Sequence, residues 1–386
     1  MYAKVDVNKF LEERKINHKT ENKNLLQLMT ANYGKRRKGN QIIEKKQEKN
    51  GKNEKNEKQE ETEEKGEILV TPMLMYDLLV APVKQLLSKD KKKVVFVPCE
   101  ELWQFPFNSL IESDSKKLFI QSYCVSISPS YRVLFSSAQK VSERAEKLKN
   151  TLNPNLIEKF SENYQKALLI ASPPHLCIPS LEDSFQGERD SESHLNYVFE
   201  SSQKLDPLPL SEKEISAIST VLSNQLSFQS VQSFYNKKEC NSTFFVENSV
   251  GCKYIHLSTY GTMDGMILFS GGGVSKECFV DPKLVSCMNL IGTEFVVLNL
   301  RYESSNSFSS FISLACSFIN AGVRYVLLSL PGSEEKSIVK HGYFYYKFLA
   351  ENPLDVPLAF QKASLQLAKE HQGDNALFSS FILLGC

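Results

Sequence analysis

The chain of 386 residues carries a formal net charge of +1 at pH 7. Nucleic acids and acidic membranes bind a concentrated positive field, so this charge gives no reason to expect either partner. The first residues lack an apolar core of signal-peptide length, and no stretch approaches the roughly 20 apolar residues of a membrane span. The sequence therefore predicts a cytoplasmic protein that binds neither nucleic acid nor membrane.

The N-terminal part of the chain differs sharply in composition from the rest. Residues 1–33 contain a short helical pattern that is too small for a domain of its own. Residues 34–66 consist almost entirely of Lys, Glu, Asn and Gln with one Ile pair, and such a segment cannot bury enough apolar surface to offset its ordering entropy. We predict a charged, disordered linker there. A basic binding arm is the alternative, and the matching Glu content weakens it.

Residues 72–386 have the dense apolar pattern of a folded domain. Strands are predicted from short β-branched or aromatic runs at residues 94–97, 124–128, 167–171, 253–258, 294–300, 323–330 and 379–384. Helices are predicted from apolar spacing at residues 72–87, 131–149, 211–223, 236–248, 307–320, 334–350 and 357–371. Pro82 should interrupt or restart the first helix. This alternation indicates an α/β fold of three layers, with a mainly parallel sheet covered on both faces.

One polar segment breaks the alternation. Residues 173–208 are rich in Ser, Glu, Asp and Pro, which predicts a mobile surface excursion. The triple glycine at 271–273 lacks a following Lys-Ser/Thr pair, so it indicates a turn and not a phosphate site. Nine cysteines without a CxxC pair favour reduced thiols, and the six histidines do not cluster. The sequence predicts no metal and no cofactor.

An ordered series of segments resembles the CHAT domain, a caspase-like peptidase family often found at the C terminus of tetratricopeptide-repeat proteins. The series covers most of residues 74–386, and its order and spacing carry the resemblance. Its segments read LMYDLLVAPVKQLL (74–87), VVFVPCEELWQFPFNSLIE (94–112), CVSISPSYRVL (124–134), ALLIASP (167–173) and LPLSEKEISAISTVL (208–222). The resemblance implies a caspase-like fold with helices on both faces of the sheet.

The resemblance also extends to the catalytic motifs of the family, with two departures. Family members carry a strand similar to "iHlatHG", whose second His is the catalytic base, and a later strand similar to "vvLsaCeTg", whose Cys is the nucleophile. The matching segments here read YIHLSTYGTMD (254–264) and FVVLNLRYESS (295–305). Tyr260 therefore stands at the base position and Arg301 at the nucleophile position. Gly261 is retained as the expected oxyanion donor.

Both departures remove groups that the reaction requires. Tyrosine has a pKa near ~10 and is a poor base at neutral pH, and arginine stays protonated and is no nucleophile. The resemblance thus implies a catalytically inactive pseudo-peptidase that serves as a protein-interaction or regulatory scaffold, with a protein partner. Tyr260 and Arg301 are either drifted residues or a site that now binds an anion or a peptide carboxylate. Glu303 is the nearest acidic residue in sequence to balance Arg301.

Two other interpretations stay open at this point. An active cysteine endopeptidase would need a relocated dyad, for instance His256 with Cys252 or Cys287. An α/β protein that is unrelated to CHAT and binds a small molecule or a nucleotide would need a glycine-rich turn between a strand and a helix, which the sequence lacks. The simpler expectation is that His256 is bonded inside the fold and that both cysteines pack in the core.

The CHAT resemblance makes a geometric prediction. Residues 253–258 and 294–300 should form neighbouring parallel strands in the middle of the sheet. Sites of open α/β sheets lie outside the carboxyl ends of the strands. We therefore expect Tyr260 and Arg301 to lie at the same edge of the sheet and on the same face.

The composition of residues 34–66 gives a prediction of its own. Their backbone amides should exchange with solvent within seconds, because a chain without a core leaves its N–H groups bonded to water. Hydrogen exchange followed by mass spectrometry on the full chain measures this. Protection lasting minutes across the segment would contradict the expectation.

Overall fold

The computed structural model describes part of the chain, and its described residues fall into two compact units. These residues are 71–87, 90, 92–99, 102–103, 105–135, 166–171, 177–178, 203–205, 208–226, 228–262, 264–270, 278–301, 308–330, 333–353, 355–370 and 379–385. The predicted segments 1–33 and 34–66, most of 173–208, and the glycines at 271–273 lie outside them. The first unit lies within Met1–Lys91, Cys99–Phe105 and Leu110–Phe119, and the second comprises Lys92–Pro98, Pro106–Ser109 and Ile120–Cys386.

The described part of the first unit opens with helix α1 (Pro72–Leu79), followed by a 3₁₀ helix (Ala81–Leu86). The hydroxyl of Thr71 caps α1 by accepting a 3.1 Å hydrogen bond from the N–H of Leu74. The predicted interruption is confirmed, because α1 ends before Pro82 and a separate 3₁₀ helix begins with this proline in its first turn.

The second unit is built on one sheet of eight strands. Its strands are β1 (Lys93–Phe96), β2 (Cys124–Ile127), β3 (Lys166–Ala171), β6 (Ser230–Tyr235), β7 (Tyr254–Tyr260), β10 (Phe295–Arg301), β11 (Tyr325–Ser329) and β12 (Phe381–Gly385). Their spatial order is β1-β2-β12-β11-β10-β7-β3-β6. Every neighbouring pair is parallel except β11 with β12. Two short antiparallel pairs lie outside it, β4 (Cys177–Ile178) with β5 (Gln203–Lys204) and β8 (Ile267–Leu268) with β9 (Phe279–Val280).

Helices cover the sheet, which confirms the predicted three-layer α/β class. They are α2 (Pro209–Asn224), α3 (Ser242–Ser249), α4 (Pro282–Cys287), α5 (Phe308–Asn320), α6 (Glu335–Glu351) and α7 (Val356–Glu370). Helix α6 packs between α2 and α7 and contacts β10. Helix α5 packs on β11, β12 and α4. Within the described ranges, every helix is too short or too polar to cross a lipid bilayer.

The central strands follow from their apolar runs. Residues of β10 from Phe295 to Leu300 are almost fully buried, as expected for a parallel strand covered on both faces. The sequence missed β6, because this edge strand alternates polar residues with apolar ones in a partly exposed setting. The helix predicted at 236–248 is wrong over its first part. Helix α3 begins at Ser242, where the side chain of Asn241 accepts a 2.8 Å hydrogen bond from the N–H of Phe244.

The C-terminal strand gives a prediction about stability. Gly385 ends β12 at a φ of +120°, and a Cβ there would collide with the carbonyl of Arg324. Gly385→Ala should lower the free energy of unfolding by about 3 kcal/mol, since both strain and collision act. Gly251 is the matched control, because it has a φ of +78° with no atom within 4 Å of an added Cβ. Gly251→Ala should cost only about 1 kcal/mol in the same urea titration. Equal costs would show that crowding at the strand end is unimportant.

Candidate functional site

The site is defined by the register of the two central strands. Strands β7 and β10 pair in parallel, and Tyr260 lies opposite Arg301 in that register. The predicted pairing is confirmed. Both strands run further than the sequence indicated, so that each residue ends its strand. Because paired residues of parallel strands project from the same face, Tyr260 and Arg301 share one face at the carboxyl edge of the sheet.

The expected oxyanion donor is occupied in this register. The backbone N–H of Gly261 donates a 2.8 Å hydrogen bond to the carbonyl of Arg301. This bond continues the β7–β10 ladder by one residue. The amide of Gly261 is therefore bound inside the sheet and is not directed at a substrate.

A buried carboxylate lies below this edge, on the same face. Glu214 of α2 is 1% exposed, and strand residues surround its side chain. The hydroxyl of Ser258 donates to its Oε2 at 2.8 Å, and the amide of Asn299 donates to its Oε1 at 2.5 Å. Ser211, one turn earlier in α2, lies 2.8 Å from the Ser258 hydroxyl. These bonds tie α2 to both central strands.

His256 belongs to the same cluster. Its ring is fully buried, and Nε2 lies 3.2 Å from Oε1 of Glu214, close enough for electrostatic contact but outside hydrogen-bond geometry. The ring also packs against Tyr346 of α6, with ring centroids 5.7 Å apart. The expectation that His256 lies inside the fold is confirmed, whereas the expected hydrogen bond is not, because neither ring nitrogen has a hydrogen-bond partner among the described residues.

Helix α6 packs closely against the cluster at Gly342. A Cβ on Gly342 would lie 2.6 Å from Oε1 of Glu214 and 3.1 Å from Nδ2 of Asn299. Any larger residue would push the helix away from the carboxylate. The bare backbone at this position therefore lets α6 close the polar cluster.

Competing effects set the charge of Glu214. Burial by itself raises the pKa of this carboxyl, but His256, the Ser258 hydroxyl and the Arg301 guanidinium outweigh it and lower the pKa below its ordinary value. Glu214 is therefore an ionised group in the interior. Its neighbours must stay in place to keep it so, since an uncompensated buried charge is costly.

Arg301 carries its charge into the same region. Its side chain is 11% exposed, and Nη2 lies 3.6 Å from Oε1 of Glu335, the first residue of α6. Burial lowers the pKa of the guanidinium, whereas the carboxylates of Glu214 and Glu335 raise it. Arginine remains charged after such a shift because its ordinary pKa is so high. Glu303, the sequence candidate for balancing this charge, lies outside the described residues.

Tyr260 faces an apolar group at the same edge. It packs, partly buried, against a small cluster that contains Leu205, Leu268 and Phe279. Leu268 belongs to β8, and Phe279 belongs to β9. The edge thus combines a cation from β10 with an aromatic ring and aliphatic side chains.

The two candidate cysteines lie elsewhere. Cys252 precedes the amino end of β7, and its thiol donates to the carbonyl of Asn248 at 3.1 Å. Burial raises the pKa of this thiol to about 11. Cys287 ends α4 and is exposed, so the expectation that it packs in the core is wrong. Cys252 thus lies at the opposite end of β7 from Tyr260.

Sequence reasoning missed two residues of the site. Glu214 lies in the segment 208–222 that resembles the CHAT family, but nothing in the sequence indicated that its carboxylate belongs to the site. Glu335 lies 34 residues after Arg301, in a different element. An acidic residue in the first turn of a helix was the only local signal for Glu335, and that position is common in ordinary helices.

The family of this chain follows from a comparison of its sequence with known families. The sequence model of the CHAT domain matches residues 73–385, which make up most of the chain. The chain belongs to the CHAT-domain family. The family match and the observed three-layer arrangement of helices and sheet confirm the predicted caspase-like fold. No curated protein sequence matches the chain significantly.

Solved structures similar to this CHAT chain share little sequence identity with it. The Arg-specific cysteine proteinase gingipain R is 11% identical, with a TM-score of 0.47, covering 80% of this chain and 68% of its own. A complex of the pro- and mature domains of RgpB from Porphyromonas gingivalis is 11% identical, with a TM-score of 0.48 and coverage of 80% and 69%. The separase–securin complex of Saccharomyces cerevisiae is 13% identical, with a TM-score of 0.40 and coverage of 73% and 14%.

The charge of Glu214 gives a pH-dependent prediction. Its pKa is lower in the folded chain than the unfolded value of about 4.3, so its stabilising contribution is complete above about pH 5. The contribution declines as the pH falls below that value and through the folded pKa. Glu214→Gln should therefore lower the free energy of unfolding by about 2 to 3 kcal/mol at pH 7, and by less at pH values near or below about 4.

Urea unfolding at several pH values measures this difference. Glu212→Gln is the matched control, because Glu212 is exposed on the same helix. Its effect should stay within about 0.5 kcal/mol at every pH. A loss for Glu214→Gln that is independent of pH would mean that folding does not lower the pKa of this carboxyl.

Proposed function

We propose that this CHAT domain is a catalytically inactive pseudo-peptidase that acts as a protein-interaction or regulatory module, in the cytoplasm. One observation carries the proposal. Tyr260 and Arg301 face each other in register at the carboxyl ends of β7 and β10, and motif resemblance assigns these positions to the catalytic His and Cys. The pair is thus adjacent in space as a dyad would be, but its chemistry differs.

The chemistry at these positions supports the absence of catalysis. Thiol peptidases need a thiolate beside a base of near-neutral pKa, and donors for the oxyanion. A buried, charged guanidinium replaces the thiol at Arg301. The N–H of Gly261 is bonded to the carbonyl of Arg301, which removes the expected oxyanion donor.

A relocated dyad is the alternative, and the contacts of its members argue against it. His256 is enclosed by Glu214 and Tyr346 with no exposed surface. The raised pKa of the Cys252 thiol disfavours the thiolate at neutral pH. Cys287 is exposed and lies on α4, which packs on α5, whereas His256 is enclosed within β7.

A binding role is supported by what the fold retains. The sheet keeps a fully packed core and an ionised carboxylate cluster below an edge where α/β proteins bind their ligands. A protein partner is the partner class that the CHAT resemblance implies. The proposed module thus has an intact fold and a site that lacks a nucleophile.

The proposal predicts an absence of turnover. The full-length wild-type chain should not hydrolyse a fluorogenic peptide library that includes basic residues at the cleavage position. Tyr260→His and Arg301→Cys should each stay inactive, because a base and a nucleophile act as a unit. Steady-state fluorescence over hours measures this, with the catalytically competent gingipain as a positive control.

Sustained turnover by the wild-type chain would overturn the proposal. Its loss in Cys252→Ala or Cys287→Ala would then identify the relocated nucleophile.

A further inference from the structure

We propose that Arg301 anchors a binding site for a carboxylate group of a peptide segment from a partner protein. The carboxylate comes either from a peptide C terminus or from an acidic side chain, and both present the same two oxygens. This inference rests on the proposed function, because it assigns a ligand class to the site that lacks a nucleophile.

The guanidinium of Arg301 lacks hydrogen bonds although it is buried. Its Nε, Nη1 and Nη2 atoms are inaccessible to solvent and have no hydrogen-bond acceptor among the described residues. Oε1 of Glu335 lies 3.6 Å from Nη2, within ion-pair range but beyond ordinary hydrogen-bond distance. The charge is therefore balanced, whereas the N–H donors are not satisfied.

Such an arrangement is unfavourable unless a ligand completes it. Buried donors without acceptors are rare, and those on charged groups are the most costly. The planar fork of an arginine matches the two oxygens of a carboxylate. A residue that had merely drifted at an unused site could turn its charge toward solvent and avoid the free-energy cost of burying donors without acceptors. The unsatisfied fork thus favours a binding site over drift.

Neighbouring groups define what else the ligand presents. Oε1 of Glu335 is also buried and without a hydrogen-bond donor, so a donor next to the carboxylate would satisfy it. A peptide supplies such a donor in its backbone N–H groups. Tyr260, opposite Arg301 in register, adds an aromatic ring packed against the cluster of Leu205 and Leu268. The site therefore fits a carboxylate attached to a peptide with an apolar side chain nearby.

Fluorescence anisotropy with labelled hexapeptide pools tests this ligand class on the full chain. One pool has a free C-terminal carboxylate and no acidic residues, a second has a C-terminal amide and internal Asp or Glu, and a third has the amide and no acidic residue. We expect the third pool to bind about tenfold or more weakly than the better of the other two. The first pool binding best would identify a C-terminal carboxylate, and the second would identify an acidic side chain.

Variants of Arg301 assign the binding to this residue. Arg301→Met removes the charge, and Arg301→Lys keeps it but removes the fork; both should weaken the preferred pool by about tenfold or more. Arg324→Met is the matched control, because Arg324 already has a carboxylate partner, Glu294, at 2.8 Å. It should leave the affinity within about twofold. Arg301→Lys retains the charge beside Glu335, so it tests the proposal even if Arg301→Met does not fold.

The outcomes separate this inference from the proposed function. Equal binding of all three pools, no binding of any pool, or unchanged affinity in Arg301→Lys would overturn the carboxylate site while the chain remained an inactive module. Cleavage of the bound peptides would overturn the proposed function. Selective binding that depends on Arg301, without cleavage, is the result expected when both hold.

Discussion

The arrangement of the second unit depends on satisfying one buried carboxylate. Glu214 enters the interior from α2, and an ionised group at that depth requires partners from the elements around it. Ser258 of β7 and Asn299 of β10 supply hydrogen bonds, and His256 supplies a close ring nitrogen. These partners fix α2 over both central strands, and a shift of the helix along the sheet would leave charge and donors unmatched. Apolar packing alone would tolerate such a shift more easily, because it is not directional.

The same cluster reaches the edge where Tyr260 and Arg301 lie. His256, Ser258 and Tyr260 alternate along one face of β7, and Asn299 and Arg301 do so along β10. The position of the polar cluster thus determines which face carries the two terminal residues. Glu214 also attracts Arg301 electrostatically, which helps to keep the guanidinium charged although it is buried. The interior carboxylate and the edge cation therefore form one electrostatic unit.

If the chain is inactive as proposed, this arrangement explains how the fold retains a formed site without the reaction. The strand pairing and the helix contacts that position a dyad do not require the dyad itself, since they come from the ladder and from the buried cluster. Under the proposed function, an arginine at the nucleophile position replaces bond cleavage by the recognition of an anion. The cost is a buried guanidinium without a hydrogen-bond acceptor among the described residues, and functional sites commonly carry such a cost in stability.

The sequence by itself determined the elements that its local patterns encode. The apolar run of β10, the restart of the first helix at Pro82 and the alternation of strands with helices were predicted, because periodicity reflects burial directly. The CHAT motifs also indicated that β7 and β10 are neighbours. The tertiary structure alone decided that Glu335 accompanies Arg301, that Glu214 holds the cluster together, and that the Gly261 amide is used in the ladder. These contacts join residues that are distant in sequence or depend on the exact strand ends, and neither distance nor register leaves a local pattern.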